Sequence, residues 1–537
     1  MLPDILRRRA TEQPDRTAYV FLGEDGDERA SITFAGLDAR ARSVAAELRR
    51  HCEPGDRALL IFPQSLDFIV AYSACLYAQV VAVPVNPPRR TRIQDATRAI
   101  IADCEPAVVL TVAAMTDLRS TVDRAHWIAV DEVAEGDFEP LPCTADTLAL
   151  LQYTSGSTSD PKGVMVSHGN LMANEEMIRR AFGHDEHSTV VGWAPFFHDQ
   201  GLIGNVLQPL YVGATAILMA PAAFIRRPLL WLTTISRYRA HTSGGPNFAF
   251  DACVAAAARG VPELDLSSWQ VAFNGAEPIR PETLRRFTET FGPHGFRETA
   301  MYPCYGLAEA TLIVSGSGKG RGPRVIEADV AELGRKRLVE APGGREIAGS
   351  GVVLPGEEVR IVDPETREPC ADGEIGEIWV AGEHVTQGYW KRPEAAAFTG
   401  SWLRTGDLGA LRDGELYVAG RLRDLIIIRG RNHYPQDIEH TAERAHPALR
   451  PGGCAAFSVP AAGGEKLVVV AEIRREHRHE ADPLELAGAI RAAVLREHEV
   501  SAGDVVLTRA GRLSKTSSGK IMRAAARKRY LESGFDV

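Results

Sequence analysis

From about residue 55 to residue 300, short apolar runs alternate with longer amphipathic stretches. The runs are Ala58-Leu-Leu-Ile-Phe, Ala107-Val-Val-Leu, Leu148-Ala-Leu-Leu, Thr189-Val-Val-Gly-Trp and Thr215-Ala-Ile-Leu-Met, and residues 65–79 are a helix-length stretch behind the first of them. Runs this apolar have no face to offer to water, so they belong in parallel sheets covered by helices on both sides. The alternation therefore predicts a large α/β N-terminal domain with parallel-type sheets flanked by helices. Its most apolar part, Phe68 to Val85, imitates a membrane span. Gln79 and Pro84 interrupt it, and its tail reads as a buried strand following a helix, so no membrane span is expected.

Beyond residue 350 the pattern changes. Glu358-Val-Arg-Ile-Val-Asp-Pro, Gly376-Glu-Ile-Trp-Val and Glu415-Leu-Tyr-Val are short strands separated by turn residues, Asp413-Gly414 among them, and predict a small β-rich subdomain over about 350–420. The Gly-, Arg- and Glu-rich stretch from Ser315 to Gly351 is too long for an ordinary connection and reads as a loop or an insertion, about 321–348. After Gly420-Arg-Leu-Arg-Asp424 a last alternation begins, with Leu425-Ile-Ile-Ile, a helix from about 435, Lys466-Leu-Val-Val-Val-Ala and a helix from about 483. The expected division is an N-terminal domain over 1–422 and a small α+β domain over 423–537.

Composition narrows the function. The net charge of -9 and a pI near 6.0 disfavour nucleic acid as a partner, because neutralising phosphates needs a basic surface. Eight scattered cysteines without a C-x-x-C pair predict neither a zinc site nor a disulfide framework, and read as reduced thiols. Met1-Leu-Pro-Asp-Ile-Leu-Arg-Arg-Arg lacks the apolar stretch of a secretory signal, which makes the cytoplasm the expected location. Residues 505–531 hold Arg509, Arg512, Lys515, Lys520, Arg523, Arg527, Lys528 and Arg529 without an Asp or Glu. Such a stretch is either a solvated helix face or a surface for phosphate or an acidic partner. His477 and His479 lack the helical spacing of a metal pair and read as solvated, Cys304 reads as packed, and there is no Gly-x-Ser-x-Gly elbow of a serine hydrolase.

The strongest local signal is Leu150-Leu-Gln-Tyr-Thr-Ser-Gly-Ser-Thr-Ser-Asp-Pro-Lys-Gly163, a strand running into a loop of hydroxyl and glycine residues that ends in a lysine. Backbone amides and hydroxyls of Thr154, Ser155, Gly156, Ser157 and Thr158 can wrap a polyphosphate, and Lys162 adds a point charge. It is not a Walker loop, because Gly-Lys followed by Ser or Thr is absent at the required spacing.

This string resembles the phosphate loop of the adenylate-forming enzymes, the superfamily of acyl-CoA synthetases, firefly-type luciferases and peptide-synthetase adenylation domains. Asn274-Gly-Ala-Glu-Pro278, Tyr305-Gly-Leu-Ala-Glu309, Thr405-Gly-Asp407, Gly420-Arg421 and Ser514-Lys-Thr-Ser-Ser-Gly-Lys520 follow in that superfamily's order over nearly the whole chain. The resemblance implies a mobile C-terminal lid, with ATP and Mg²⁺ activating a carboxylic acid as its acyl-adenylate. It implies that Gly275, Ala276 and Glu277 border the adenine, that Tyr305 and Gly306 lie beside it, and that Asp407 accepts from both ribose hydroxyls. Glu309 would hold Mg²⁺, Arg421 would contact the nucleotide, and Arg423 would serve the hinge. Lys520 would bridge the acid and the α-phosphate. Ala308 stands where many members have Thr, so a hydroxyl contact from 308 is not expected.

Phe197-His-Asp-Gln-Gly-Leu-Ile-Gly204, Gly244-Gly-Pro-Asn-Phe-Ala-Phe250, Tyr305-Gly-Leu-Ala-Glu-Ala-Thr-Leu312 and Ile428-Arg-Gly-Arg-Asn-His-Tyr-Pro-Gln-Asp-Ile-Glu439 look like one branch, the fatty acyl-AMP ligases, with Gln200 where that branch often has Met. That resemblance implies a fatty acid substrate, an acyl pocket at Asn247 and Phe248, and transfer to the phosphopantetheine of an acyl carrier protein, expected in trans because no carrier domain follows Lys520. His198 is either a satisfied structural histidine or, as the resemblance implies, a gate between nucleotide and acyl pockets. The rival readings are a fatty acyl-CoA synthetase, which would use CoA as acceptor, and an idle scaffold that binds nucleotide or carrier.

Overall fold

The computed structural model describes the chain apart from residues 89–93, 123–124, 155–160, 396, 462–463, 479–480, 517–518, 533 and 536–537. In the larger sheet Met301–Gly306, Val271–Asn274, Thr242–Gly245, Thr189–Gly192, Thr215–Met219 and Thr17–Leu22 lie side by side and parallel, and Glu28–Thr33 closes the edge antiparallel. The second sheet runs His126–Ala129, Val108–Thr111, Arg57–Leu60, Val81–Pro84, Leu148–Thr154 and Lys162–Ser167, parallel except for the last pair. The α/β architecture read from the apolar runs is therefore present, with an antiparallel hairpin at one edge of each sheet.

Helix Leu66–Ala78 is buried at every position except Asp67. It shares one core with Leu60, Ala82 and Leu150 of the second sheet and Tyr19, Leu218 and Phe273 of the larger. A helix with sheets around it must be apolar all round, which is why 68–85 imitates a span. No helix among the described residues is long and apolar enough to cross a membrane.

On its other side Met301–Gly306 pairs antiparallel with Ile313–Gly316, and the sheet continues through Val352–Val353, Glu415–Arg421, Trp402–Arg412, Gly376–Gly382 and Glu357–Val362. The β-rich strands thus extend the large sheet rather than forming one of their own. The link from Gly306 to Ile313 is too short for a crossover and permits only an antiparallel return. Asp413 and Gly414, at φ 50° and 76°, make the left-handed two-residue turn that matches hairpin twist.

Residues 315–351, expected as a loop or insertion, are folded. Val325–Ala328 pairs with Arg345–Ala348, and the helix Val330–Gly334 between them is capped by Asp329, which accepts from the Ala331 and Glu332 amides. Ile326, Ala328, Leu333 and Leu338 are buried with Ile375, Leu408, Ala410, Tyr417 and Tyr434, while Val325 and Val330 stay exposed.

Further on, Leu449–Ala461, Gly464–Ile473 and Ala502–Arg509 form a three-stranded sheet with a core on each face. Leu467, Val469 and Ala471 meet helices Pro435–Arg444 and Pro483–His498, while Val468 and Val470 meet Leu513 and Ala526. This is the period-two alternation of a strand covered on both sides.

Candidate functional site

Four parallel strands of the larger sheet lead at their carboxyl ends into one crevice, the place where open α/β sheets take ligands. Thr189–Gly192 leads to His198, Thr242–Gly245 to Asn247 and Phe248, Val271–Asn274 to Gly275, Ala276 and Glu277, and Met301–Gly306 to Glu309. The strand ends approach so closely that side chains are excluded. A Cβ at Gly275 would lie 2.9 Å from the Cys304 carbonyl oxygen and Sγ, and one at Gly306 would lie 1.8 Å from the Leu312 oxygen. Ala276 takes φ 66°, a left-handed conformation that costs an L-residue of order 1 kcal/mol.

Three expected nucleotide contacts are drawn together. The Tyr305 hydroxyl donates to Asp407 Oδ2 at 2.8 Å, and Arg421, opposite Asp407 in the strand register, brings Nε within 3.2 Å of Oδ1. Burial and the Asp407 charge push the Tyr305 phenol well up, so it remains a donor.

Glu309 sits in the one-turn helix Ala308–Ala310. Thr311 follows at φ 66° and ψ -62°, with the Leu312 amide donating to Ala310 O at 2.7 Å, a γ-turn centred on a β-branched residue. Thr311 is held there by its hydroxyl, which donates to His384 O at 2.6 Å. The Tyr389 hydroxyl donates to Glu309 Oε1 at 2.7 Å, and Lys162 Nζ lies 5.1 Å from the Tyr389 ring centroid, within cation–π range. The segment around Tyr389 is stitched to the phosphate hairpin by Trp390 N donating to Gly163 O at 2.8 Å and Met165 N to Gly388 O at 2.9 Å. Thr154 and Lys162 are the last register pair of the two antiparallel strands of that hairpin. Ser155, Gly156, Ser157 and Thr158 lie outside the described residues.

Lys520 faces the same crevice from the C-terminal segment. Residue 520 is exposed, and the surrounding protein still removes part of its water. That desolvation, with Arg421 adding to it, holds its pKa below the ordinary lysine value against the opposing pull of Asp199, Glu277 and Asp407. Burial, with the Lys520 charge second, lowers His198 to about 4, so the imidazole is neutral near pH 7, and its ring lies 4.7 Å from that of Phe197. Burial raises the Asp199 carboxyl, whose Oδ1 accepts from the Gln200 amide at 2.7 Å where the π-helical segment Gln200–Leu207 begins. Such segments are frequent at functional sites. Glu277, also raised by burial, accepts from the Phe248 amide at 2.6 Å, which turns it toward Lys520 and the aromatic end of the crevice.

Not every expected residue lines the crevice. Asn247 is buried with its amide engaged, Nδ2 donating to Thr283 Oγ1 at 3.0 Å and Oδ1 accepting from the Arg280 amide at 3.1 Å, so it ties down the 274–280 segment rather than lining an acyl pocket. Phe248 does join an aromatic group, its ring 6.1 Å from Trp193 and 6.3 Å from Phe224. Arg423 is half exposed, with Nε 3.7 Å from Asp424. Burial pushes the Cys304 thiol up to about 12, which leaves it inert. All eight cysteines are free thiols. Arg523 is not part of a basic surface, since it is forked onto Glu439 at 2.7 Å and Asp424 at 3.0 Å. His477 is half exposed in a short turn, and His479 lies outside the described residues. Motif reading passed over Asp199 and Tyr389. Asp199 stood beside His198 in the quoted string, whereas Tyr389 carries no sequence signal and is found only through its contact with Glu309.

The chain belongs to the AMP-binding enzyme family, whose description matches residues 6–390. Residues 423–537 match the AMP domain of the Disco-interacting protein 2-like family. The chain is 44% identical to the medium-chain-fatty-acid–[acyl-carrier-protein] ligase JamA of Moorena producens, over all of this chain and 96% of that one. It is 40% identical to the long-chain-fatty-acid–AMP ligase FadD32 of Mycolicibacterium smegmatis, over 99% of this chain and 94% of the other. The solved structure of the L. pneumophila fatty acyl-adenylate ligase in complex with acyl adenylate and pyrophosphate matches with TM-score 0.76 and 38% identity, over 99% of this chain and 96% of that one. Within the AMP-binding enzymes the chain is a member of the fatty acyl-AMP ligases.

Proposed function

We propose that the protein activates a fatty acid with ATP and transfers the acyl group from the adenylate to the phosphopantetheine thiol of an acyl carrier protein acting in trans. The observation that carries this reading is the meeting of Lys520 with His198, Asp199, Glu277 and Asp407 in one crevice. Carboxylate and ATP are both anions, so their reaction needs cations aimed at the charge that develops. A carboxylate oxygen attacks the α-phosphorus, the bond to the bridging oxygen of pyrophosphate breaks, and Lys520 spans the attacking oxygen and the α-phosphate. Lys162, with Thr154, Ser155, Gly156, Ser157 and Thr158, holds the leaving pyrophosphate. Asp407 orients the ribose, and neutral His198 stands between the nucleotide and acyl ends.

Glu309 fits a Mg²⁺ ion: it is a hard oxygen donor, Tyr389 fixes one of its oxygens, and the other is free of hydrogen bonds among the described residues. Bound there, the ion would neutralise phosphate charge. The lid, residues 423–537, turns at Arg423 to withdraw Lys520 and admit the thiol. The insertion favours a carrier over CoA by bracing the lid. Arg345 pairs with Asp437, Asn432 Nδ2 donates to Gly334 O at 3.3 Å, and Tyr434 is buried in the insertion's core. The cytoplasm is the compartment that suits this chemistry and the free thiols.

Lys520→Ala tests the reading. Adenylate formation, followed by ATP–pyrophosphate exchange with a fatty acid, is expected to fall by about 10²–10³, while acyl transfer from synthetic acyl-adenylate persists. Equal damage to both half-reactions, or no exchange by the wild type, would refute it.

A further inference from the structure

Away from the crevice, Glu47, His51 and His126 bring a carboxylate oxygen and two imidazole nitrogens within 4.8 Å of one another. Glu47 lies in the last turn of helix Phe34–Leu48, and the chain continues with helical spacing, the His51 amide donating to Leu48 O at 3.0 Å. Glu47 and His51 therefore stand one turn apart on the same side. His126 opens His126–Ala129, the edge strand of the six-stranded sheet. The two imidazoles stack at 3.6 Å with 15° between their planes, and His51 Nε2 lies 3.2 Å from Glu47 Oε1. Arg50 holds the other Glu47 oxygen at 2.6 Å, which orients the carboxylate as an outer partner orients a ligand.

We infer that Glu47, His51 and His126 form a site for a transition-metal ion of the zinc class, which clips the end of helix Phe34–Leu48 to the edge of the sheet that carries the phosphate hairpin. Two imidazoles and a carboxylate are a donor set that zinc takes with its fourth position left to water. Imidazole nitrogens do not suit Mg²⁺, so this site does not draw on the ion of the adenylation reaction. A tetrahedral ion about 2.0–2.2 Å from each ligand sets donor atoms roughly 3.4 Å apart. Reaching that geometry requires the stacked rings to splay, and both are exposed enough to turn. Arg50 and Arg119 oppose a cation here. Glu47 offsets one of these charges.

The test uses the full chain, stripped with a chelator and kept in excess Mg²⁺. Co²⁺ uptake is followed by its visible absorption, and Zn²⁺ by competition with a chromophoric chelator, for wild type, His51→Ala, His126→Ala, the double variant and Glu47→Gln. Wild type is expected to take one equivalent that each histidine variant binds at least about tenfold more weakly, with Glu47→Gln weakened less. Adenylation is expected to be unchanged in all of them, which also shows that the variants are folded. The same stoichiometry and affinity in the double variant, or no uptake by wild type against the chelator, would overturn the site and leave the stacked pair a packing feature.

Discussion

Asp407 meets Tyr305 with one carboxylate oxygen and Arg421 with the other, and on the proposed reading its removal takes away the acceptor for the ribose. Asp407→Ala is expected to raise the KM for ATP far more than that for fatty acid, and an unchanged ATP dependence would take Asp407 out of the nucleotide site. Tyr389 poses a finer question, because its hydroxyl serves Glu309 while its ring serves Lys162. Tyr389→Phe keeps the ring and loses a hydrogen bond to a charged group, worth about 1.5–3 kcal/mol. It should weaken binding of Mn²⁺–ATP, read by electron paramagnetic resonance, about tenfold or more, with the fatty acid KM unmoved; equal binding would make Tyr389 a bystander. The titrating groups give a pH profile with a definite sign. On the proposed reading Lys520 acts as the ammonium, present below its pKa and lost above it, so kcat/KM for adenylation should fall with rising pH at a point below 10.5, while His198, neutral above about 4, adds no limb near neutrality. Lys520→Arg, charged throughout, should lose that alkaline limb from its residual activity; a limb that stays belongs to another group.

At the scale of elements, the folded insertion alters how its role can be probed. Deleting 321–348 would uncover Leu408 and Ala410, on the strand that carries Asp407, and so would damage the nucleotide site together with the brace. Cutting the brace at one ion pair is cleaner. Arg345 and Asp437 are partly buried, and such a pair contributes on the order of 1 kcal/mol. Arg345→Ala should leave ATP–pyrophosphate exchange intact and raise acyl-CoA formation a few fold at high CoA. If CoA remains excluded, the insertion does not act through this contact. The glycine-rich sequence hid these elements because a hairpin and a five-residue helix need only four inward apolar residues when another sheet completes their core.

For the whole molecule, the C-terminal segment carries a positive balance, 18 basic against 15 acidic residues from Asp424, on a chain that is negative overall. An acidic carrier protein should therefore be drawn to it, with kcat/KM for transfer falling as the screening length shrinks from about 10 Å at 0.1 M salt to about 3 Å at 1 M. A transfer rate indifferent to salt would assign docking to apolar contacts. The order of elements, the parallel sheets, the buried helix at 66–78 and the contiguous motifs at 150–163, 274–278, 305–309 and 514–520 were all legible in the sequence, because periodicity and short-range backbone chemistry are local properties. The antiparallel continuation of the sheet was not, since strand neighbours are chosen by connection length and shared core. Nor was the engagement of Asn247 in packing, or the reach of Tyr389 across 80 residues to Glu309. A motif names which atoms are capable of the chemistry, whereas hydrogen-bond partners, burial and charge environment arise from segments far apart in the chain, so only the tertiary structure decides whether those atoms face the crevice or hold it together.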